Sequence, residues 1–367
     1  MLPPRGVRRL VQVPLVIMIA AALAVLAPPL AIFSVAFAAI RKSRTGRAQR
    51  MRALRVVCFA LAWFLGETAA LTVSGSLWIV SGFGGRLDTE PYRNRHYAIM
   101  RWLLVLIYHA AERTCGLRMR VAGPPGEAGR SDDAGARPII VLSRHAGPGD
   151  SLLVVHYLLT VCARRPRLVM KAALQLDPSL DVLANRLPNA FVHHRGKRSQ
   201  TESQGGAQAR RRHHTEQIKR LAAGLDEQGA LVIFPEGANW TPLRWRRGIA
   251  RLRRKGLDNL AERAAAMPSV LAPRTGGALA AAAACPAADV VFVAHTGLDK
   301  LVSVRDVWRS LSADVLVTAR WWRVPAAEVP RTAGHQAQVD WLYDWWQRID
   351  EWITTQRSPV STSSRSR

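Results

Sequence analysis

The stretch Pro138-Ile-Ile-Val-Leu-Ser-Arg-His-Ala-Gly-Pro-Gly-Asp150 decides how this chain folds. Ile139–Leu142 is an unbroken apolar run of the length expected for a strand buried on both faces. Gly147, Pro148 and Gly149 then turn the chain. Asp150 opens a strongly apolar helical stretch, Ser151–Ala163, and reads as its N-cap. Strand, polar turn and helix in that order begin a β-α-β unit.

The same grammar recurs along the chain. Further strands read at Leu117–Val121, Leu168–Met170, Leu231–Phe234, Val270–Leu271, Val290–Val293 and Val315–Thr318. Helical stretches fall at Gln208–Glu227, Leu257–Ala266 and Gly277–Ala284. A last amphipathic helix, Gln336–Thr355, carries Trp341, Trp345, Trp346 and Trp352 for core and membrane-interface contacts. This alternation predicts an α/β domain with a mixed, mainly parallel sheet flanked by helices. Gly123–Arg137 and Gln200–Gly206 read as surface loops, and the Ser/Arg-rich tail 358–367 as disordered.

Upstream the pattern changes. Leu10–Ile40 contains no charged residue, and Val56–Val80 contains only Glu67. Both exceed the roughly 20 residues that cross a bilayer. The first is too long for a cleavable signal sequence. Residues 1–85 therefore read as an N-terminal membrane anchor, with a basic linker at 41–55, and 86–357 as the α/β domain. The linker's cations place it in the cytoplasm. Two full crossings would then export the domain. Pro28-Pro29 and Gly66-Glu67 interrupt the two segments, so re-entrant or one-leaflet hairpins are the preferred reading. They keep the domain on the cytoplasmic face of the cell membrane. Two full spans are the main alternative, and buried core helices a third reading.

Lys and Arg number 52 against 26 Asp and Glu, a formal charge of +26. Such an excess favours anionic partners, here the head groups of membrane lipids. The run Arg244–Lys255, with Trp245 among its cations, suits head groups or the phosphates of a nucleotide carrier. No nucleic-acid reader motif is present, so no nucleic-acid partner is expected. Cys58, Cys115, Cys162 and Cys285 are dispersed and read as buried or lipid-facing thiols. His193-His194 and His213-His214 are adjacent pairs without ligand spacing, so no metal is expected. His109 and His156 lie in apolar helical stretches and read as packed side chains.

Open α/β sheets bind ligands beyond the C-terminal ends of their strands. His145 follows one such end, with Asp150 across the turn. A carboxylate there fixes the imidazole tautomer and leaves the second nitrogen as a base. Glu236, in Phe234-Pro-Glu-Gly237, follows another strand end, with Pro235 and Gly237 tightening the turn. No G-x-S-x-G nucleophile elbow accompanies them.

Together these motifs resemble the glycerolipid acyltransferase superfamily, best known for 1-acylglycerol-3-phosphate acyltransferases. His145 and Asp150 match its H-x4-D motif, and Phe234–Gly237 match F-P-E-G. Asn189-Ala-Phe-Val-His-His-Arg195 is similar to its second block, which makes Arg195 a phosphate ligand by resemblance. Lys171 stands where the family has a common lysine. Val270-Leu-Ala-Pro-Arg-Thr-Gly-Gly277, with Arg274, resembles the lysocardiolipin acyltransferase branch. The chain departs at Arg144, where Asn is usual, and at Ala238, where Thr or Ser is usual.

The resemblance implies catalysis by His145 and Asp150, with Glu236, Gly237, Arg195, Lys171 and Arg274 binding substrate. The implied substrates are a lysophospholipid, most simply 1-acylglycerol-3-phosphate, and an acyl thioester of coenzyme A or acyl carrier protein. No separate cofactor is implied. Backbone N–H groups near Gly147–Ser151 are candidates for stabilising the oxyanion. The alternatives are a different lysolipid or glycolipid acceptor, or a non-catalytic protein that binds anionic lipid.

Overall fold

The computed structural model describes residues 2–40, 44–123, 136–147, 149–192, 204–298 and 315–357. Seven strands form one sheet: β1 (Arg118–Ala122), β2 (Ile139–Ser143), β3 (Arg165–Lys171), β4 (Ala190–Val192), β5 (Gly229–Ile233), β6 (Asp289–Thr296) and β7 (Leu316–Val324). Their order is β1-β7-β6-β2-β5-β3-β4. Every neighbouring pair is parallel except β6–β7. The fold is therefore α/β with a mixed, mostly parallel sheet.

β2, β5 and β6 form the centre of the sheet and are buried at every residue. Their side chains alternate between two cores, as strand pleating requires. Ile140, Leu142, Leu231, Ile233, Val290 and Phe292 face one core with α6 (Gln204–Ala223), α9 (Thr275–Ala284) and α10 (His335–Arg357). Ile139, Val141, Ala230, Val232, Val291 and Val293 face the other, against Val154, Tyr157 and Leu158 of α4 (Asp150–Thr160). Trp346 of α10 is fully buried, and Trp345 stacks on Phe292 at 4.6 Å. Trp341, Trp345 and Trp352 pack on the same core at its margin.

The sequence pattern differs from the structure at several elements. Val270–Leu271 is not a strand. It crosses beyond the strand ends, and its N–H groups bond side-chain carboxylates rather than a ladder, as the site shows below. β4 was not legible because only three residues pair with β3. Helices α3 (Glu90–Cys115), α5 (Pro178–Arg186) and α7 (Pro242–Arg253) were not among the elements read from the sequence. His156 is packed, stacked on Tyr108 at 4.4 Å, but His109 is exposed and pairs with Glu112 at 2.7 Å. The tail 358–367 lies outside the described residues, as does most of the loop 123–137.

At the N-terminus, α1 (Arg5–Ile40) and α2 (Arg44–Val80) are long helices. Two stretches, Arg5–Pro29 and Leu54–Val80, are long and apolar enough to cross a membrane. Neither expected interruption breaks its helix. α1 runs through Pro28 and Pro29, and α2 runs through Gly66 and Glu67. Gly66 instead admits α3, since a Cβ there would meet Leu106 Cδ2 at 2.7 Å. Glu67 is buried, accepting from Trp63 Nε1 at 2.9 Å and Ser179 Oγ at 3.4 Å. Arg8 and Arg9 of α1 both pair with buried Asp181 of α5, at 2.5 and 2.7 Å. Val16, Leu71 and Val182 form a small apolar cluster beside these pairs. The start of α1 and the C-terminal half of α2 are thus seated on the α/β domain.

Candidate active site

β2 ends at Ser143, and the chain leaves the sheet through Arg144, His145 and Ala146. Gly149 takes a positive φ of 93° and occupies the N-cap position, which glycine tolerates without strain. Asp150 is therefore the first helical residue rather than the cap. Freed from capping, its carboxylate reaches back across the turn. Oδ2 accepts from His145 Nδ1 at 2.8 Å, Ala146 N at 2.8 Å and Gly147 N at 3.2 Å. Oδ1 accepts from Ser151 N at 2.6 Å and Ser151 Oγ at 3.2 Å.

A carboxylate only accepts, so His145 Nδ1 carries the proton and Nε2 is the basic nitrogen. Burial works to raise the Asp150 carboxyl. The His145 hydrogen bond, the His295 and His145 imidazoles and the Gly147 N–H outweigh it and hold Asp150 below the usual carboxylate range. Asp150 thus stays charged beside the His145 imidazole. The imidazole packs on Phe234, ring centroids 4.9 Å apart, and keeps 16% of its side chain exposed. Its backbone carbonyl accepts from Trp240 N at 2.9 Å. The N–H groups of Gly147 and Ser151 are spent on Asp150. That removes them from the expected oxyanion donors.

Glu236 reaches the same place from β5, the neighbour of β2. Its Oε1 accepts from His145 N at 3.4 Å, and it also accepts from the Leu271 N–H. Only 3% of Glu236 is exposed. Burial pushes its carboxyl up to about 8, against the Arg144 cation and those two N–H groups, with Asp150 raising it further. Gly237 has φ +68°, and a Cβ there would meet Arg274 Cζ at 2.8 Å. Arg274 N in turn donates to Pro235 O at 2.9 Å, tying the segment 270–274 to the turn.

Lys171 ends β3 and is exposed. Partial desolvation and the cations of Arg244 and Arg274 hold its ammonium below the ordinary lysine range, with Asp150 opposing. The sheet order thus gathers His145, Asp150, Glu236, Gly237, Lys171 and Arg274 at the C-terminal ends of β2, β5 and β3. Arg195, His193 and His194 lie outside the described residues. Among the described residues no cluster of three His, Cys, Asp or Glu side chains is placed to hold a metal ion.

A second layer was not legible in the sequence. Arg144 is fully buried and donates to His295 O at 2.7 Å and Ser269 O at 2.8 Å. Asp350 of α10 accepts from Ser269 N at 2.6 Å and from the Val270 N–H. Burial pushes the Asp350 carboxyl up to about 6 against those bonds and the cations Arg144 and Arg357. His295 is the penultimate residue of β6 and lies 3.8 Å from Asp150 Oδ2. One signal pointed to it: a histidine directly after the apolar run Val290–Ala294, near the end of β6.

A charged carboxylate orienting a histidine, set beside a buried glutamate and exposed cations, suits proton removal from a hydroxyl near an anionic group. Comparison with curated proteins finds no match. Residues 127–300, which include the His145, Asp150 and Glu236 positions, match the family model described as Acyltransferase. That match marks residues 127–300 as an acyltransferase-family domain.

Proposed function

We propose that this acyltransferase moves a fatty acyl group from acyl-CoA, or acyl carrier protein, to the free hydroxyl of a lysophospholipid. The simplest acceptor is 1-acylglycerol-3-phosphate, giving phosphatidic acid. The observation that carries the reading is the 2.8 Å bond from His145 Nδ1 to Asp150, which leaves Nε2 as the free base beside Glu236.

In this mechanism Nε2 takes the acceptor's hydroxyl proton as its oxygen attacks the thioester carbonyl. Asp150 stabilises the imidazolium that forms. The tetrahedral intermediate collapses with cleavage of the C–S bond, and the proton passes from Nε2 to the departing thiolate. No acyl-enzyme is needed. Glu236 is assigned to an acceptor hydroxyl. Lys171 and Arg274, with Arg195, are assigned to the phosphate. The likeness of Val270–Gly277 to the lysocardiolipin branch makes a larger lysolipid the second choice of acceptor.

We assign the N-terminal helices to the cell membrane, with residues 86–357 as the catalytic domain on its cytoplasmic face. The support is apolar surface. Leu10, Val11, Met18, Val25 and Leu26 of α1 are each more than half exposed. A soluble surface rarely carries so continuous an apolar patch. The cations of α7 serve anionic head groups.

The test is transfer from labelled acyl-CoA to a panel of lysolipids, with wild type and His145→Ala in matched membranes. Product from wild type that vanishes in the variant supports the reading, and the preferred lysolipid names the acceptor. Equal product from both removes His145 as the base.

A further inference from the structure

Ladder pairing between β2 and β6 ends at Ser143 and Val293, followed by one bond from Arg144 N to Val293 O at 3.0 Å. His145 comes directly after this point. A chain leaving a sheet is ordinarily free to shift, yet here it is held by two crossing side chains. The Arg144 guanidinium donates to the carbonyl of His295, at 2.7 Å. The His295 imidazole, through Nε2, bonds the carbonyl of Arg144 at 3.1 Å. Each residue's side chain ends on the other's backbone. Arg144 is fully buried and His295 is 3% exposed, so water does not compete for these bonds.

The tautomer follows from the neighbours. The Arg144 carbonyl accepts only. So does the Asp150 carboxylate, 3.8 Å from the same nitrogen. Nε2 of His295 therefore carries the proton and points it at the Arg144 carbonyl, beside the Asp150 oxygen that orients His145. We infer that His295 is a positioning residue for His145, closing with Arg144 a reciprocal clasp on the peptide group immediately before it. The inference rests on His145 being the base proposed above.

A misplacement of about 1 Å at a reacting group costs on the order of 100-fold in rate. Loosening the clasp therefore lowers kcat and leaves KM, set by groups on β3, β5 and the 270–274 segment, little changed. Gln carries an amide nitrogen where His carries Nε2, and Asn carries one where His carries Nδ1. Only His295→Gln keeps the donor aimed at Arg144.

The experiment compares His295→Gln, His295→Asn, His295→Ala and His145→Ala in the full-length membrane protein. Acyl transfer from labelled palmitoyl-CoA to 1-acylglycerol-3-phosphate is read as kcat and KM. Hydrogen–deuterium exchange is followed in the peptide spanning 139–147. The clasp predicts a tenfold or greater fall in kcat for the Asn and Ala variants, with KM within about twofold. It predicts kcat within about threefold of wild type for Gln. Exchange at Arg144–Gly147 rises in Asn and Ala and returns to the wild-type rate in Gln.

Full activity in His295→Asn, an equal loss in Gln and Asn, or a change confined to KM overturns the inference. If His145→Ala is inactive while His295→Asn is normal, the clasp fails and the function stands. If wild type transfers nothing, the proposed function fails, and unchanged exchange in His295→Asn overturns the clasp independently.

Discussion

Replacing Glu236 with Gln tests the buried carboxyl behind His145. The two side chains have the same shape, and either Oε1 can accept from His145 N. They differ in charge. The folded Glu236 carboxyl is pushed up to about 8, whereas its ordinary value is 4.5. Between those two pH values the folded chain keeps a proton that the unfolded chain has released. The stabilisation by Glu236 is therefore fully present below pH 4.5 and is lost as pH rises toward about 8. Each pH unit within that window is worth about 1.4 kcal/mol, so the whole span from 4.5 to about 8 comes to roughly 5 kcal/mol. Gln is neutral throughout and escapes the loss. The melting temperature of the full-length variant in detergent should match wild type near pH 5. It should exceed wild type by on the order of 10 °C at pH 8. A difference between the two proteins that is the same at pH 5 and pH 8 refutes the argument.

Asp150→Asn removes the charged acceptor of His145 Nδ1 and offers an amide that cannot satisfy three N–H donors, so kcat falls about 100- to 10,000-fold in the acyl-transfer assay. Gly237→Ala forces a side chain into a left-handed conformation and against Arg274. It costs about 1–2 kcal/mol in a melting experiment and raises the KM of a phosphorylated acceptor several-fold. Arg8→Met leaves Asp181, which is fully buried, with Arg9 as its one remaining cationic partner among the described residues. Breaking such a pair costs about 3 kcal/mol, read as a lower melting temperature, and an unshifted melt would show that α1 does not brace α5.

Much of the site was local in the chain and therefore legible. His145 and Asp150 are close in sequence, and the glycines between them fix the turn that joins them. Phe234–Gly237 likewise announces a turn at a strand end. The central strands β2, β5 and β6 are buried on both faces, so each appears as a continuous apolar run. Other elements left weaker marks. β4 is a three-residue edge strand, and the cations of α7 hide its single buried side chain, Ile249. The apolar pair Val270–Leu271 imitated a strand because burial alone makes a residue apolar, whatever its backbone bonds.

The sequence by itself determined an α/β sheet with apolar N-terminal helices and a histidine–aspartate turn at a strand end. Tertiary structure alone decided that Glu236 reaches the His145 backbone, because that contact requires β5 to lie beside β2. It also decided the crossed bonds of Arg144 and His295, the approach of Asp350 from the last helix, and the seating of Arg8 and Arg9 on Asp181. Periodicity records which side chains are buried over a few residues. The partner a buried charge finds across 151 residues, as Arg144 finds His295, is set by strand order and register, which no local pattern encodes.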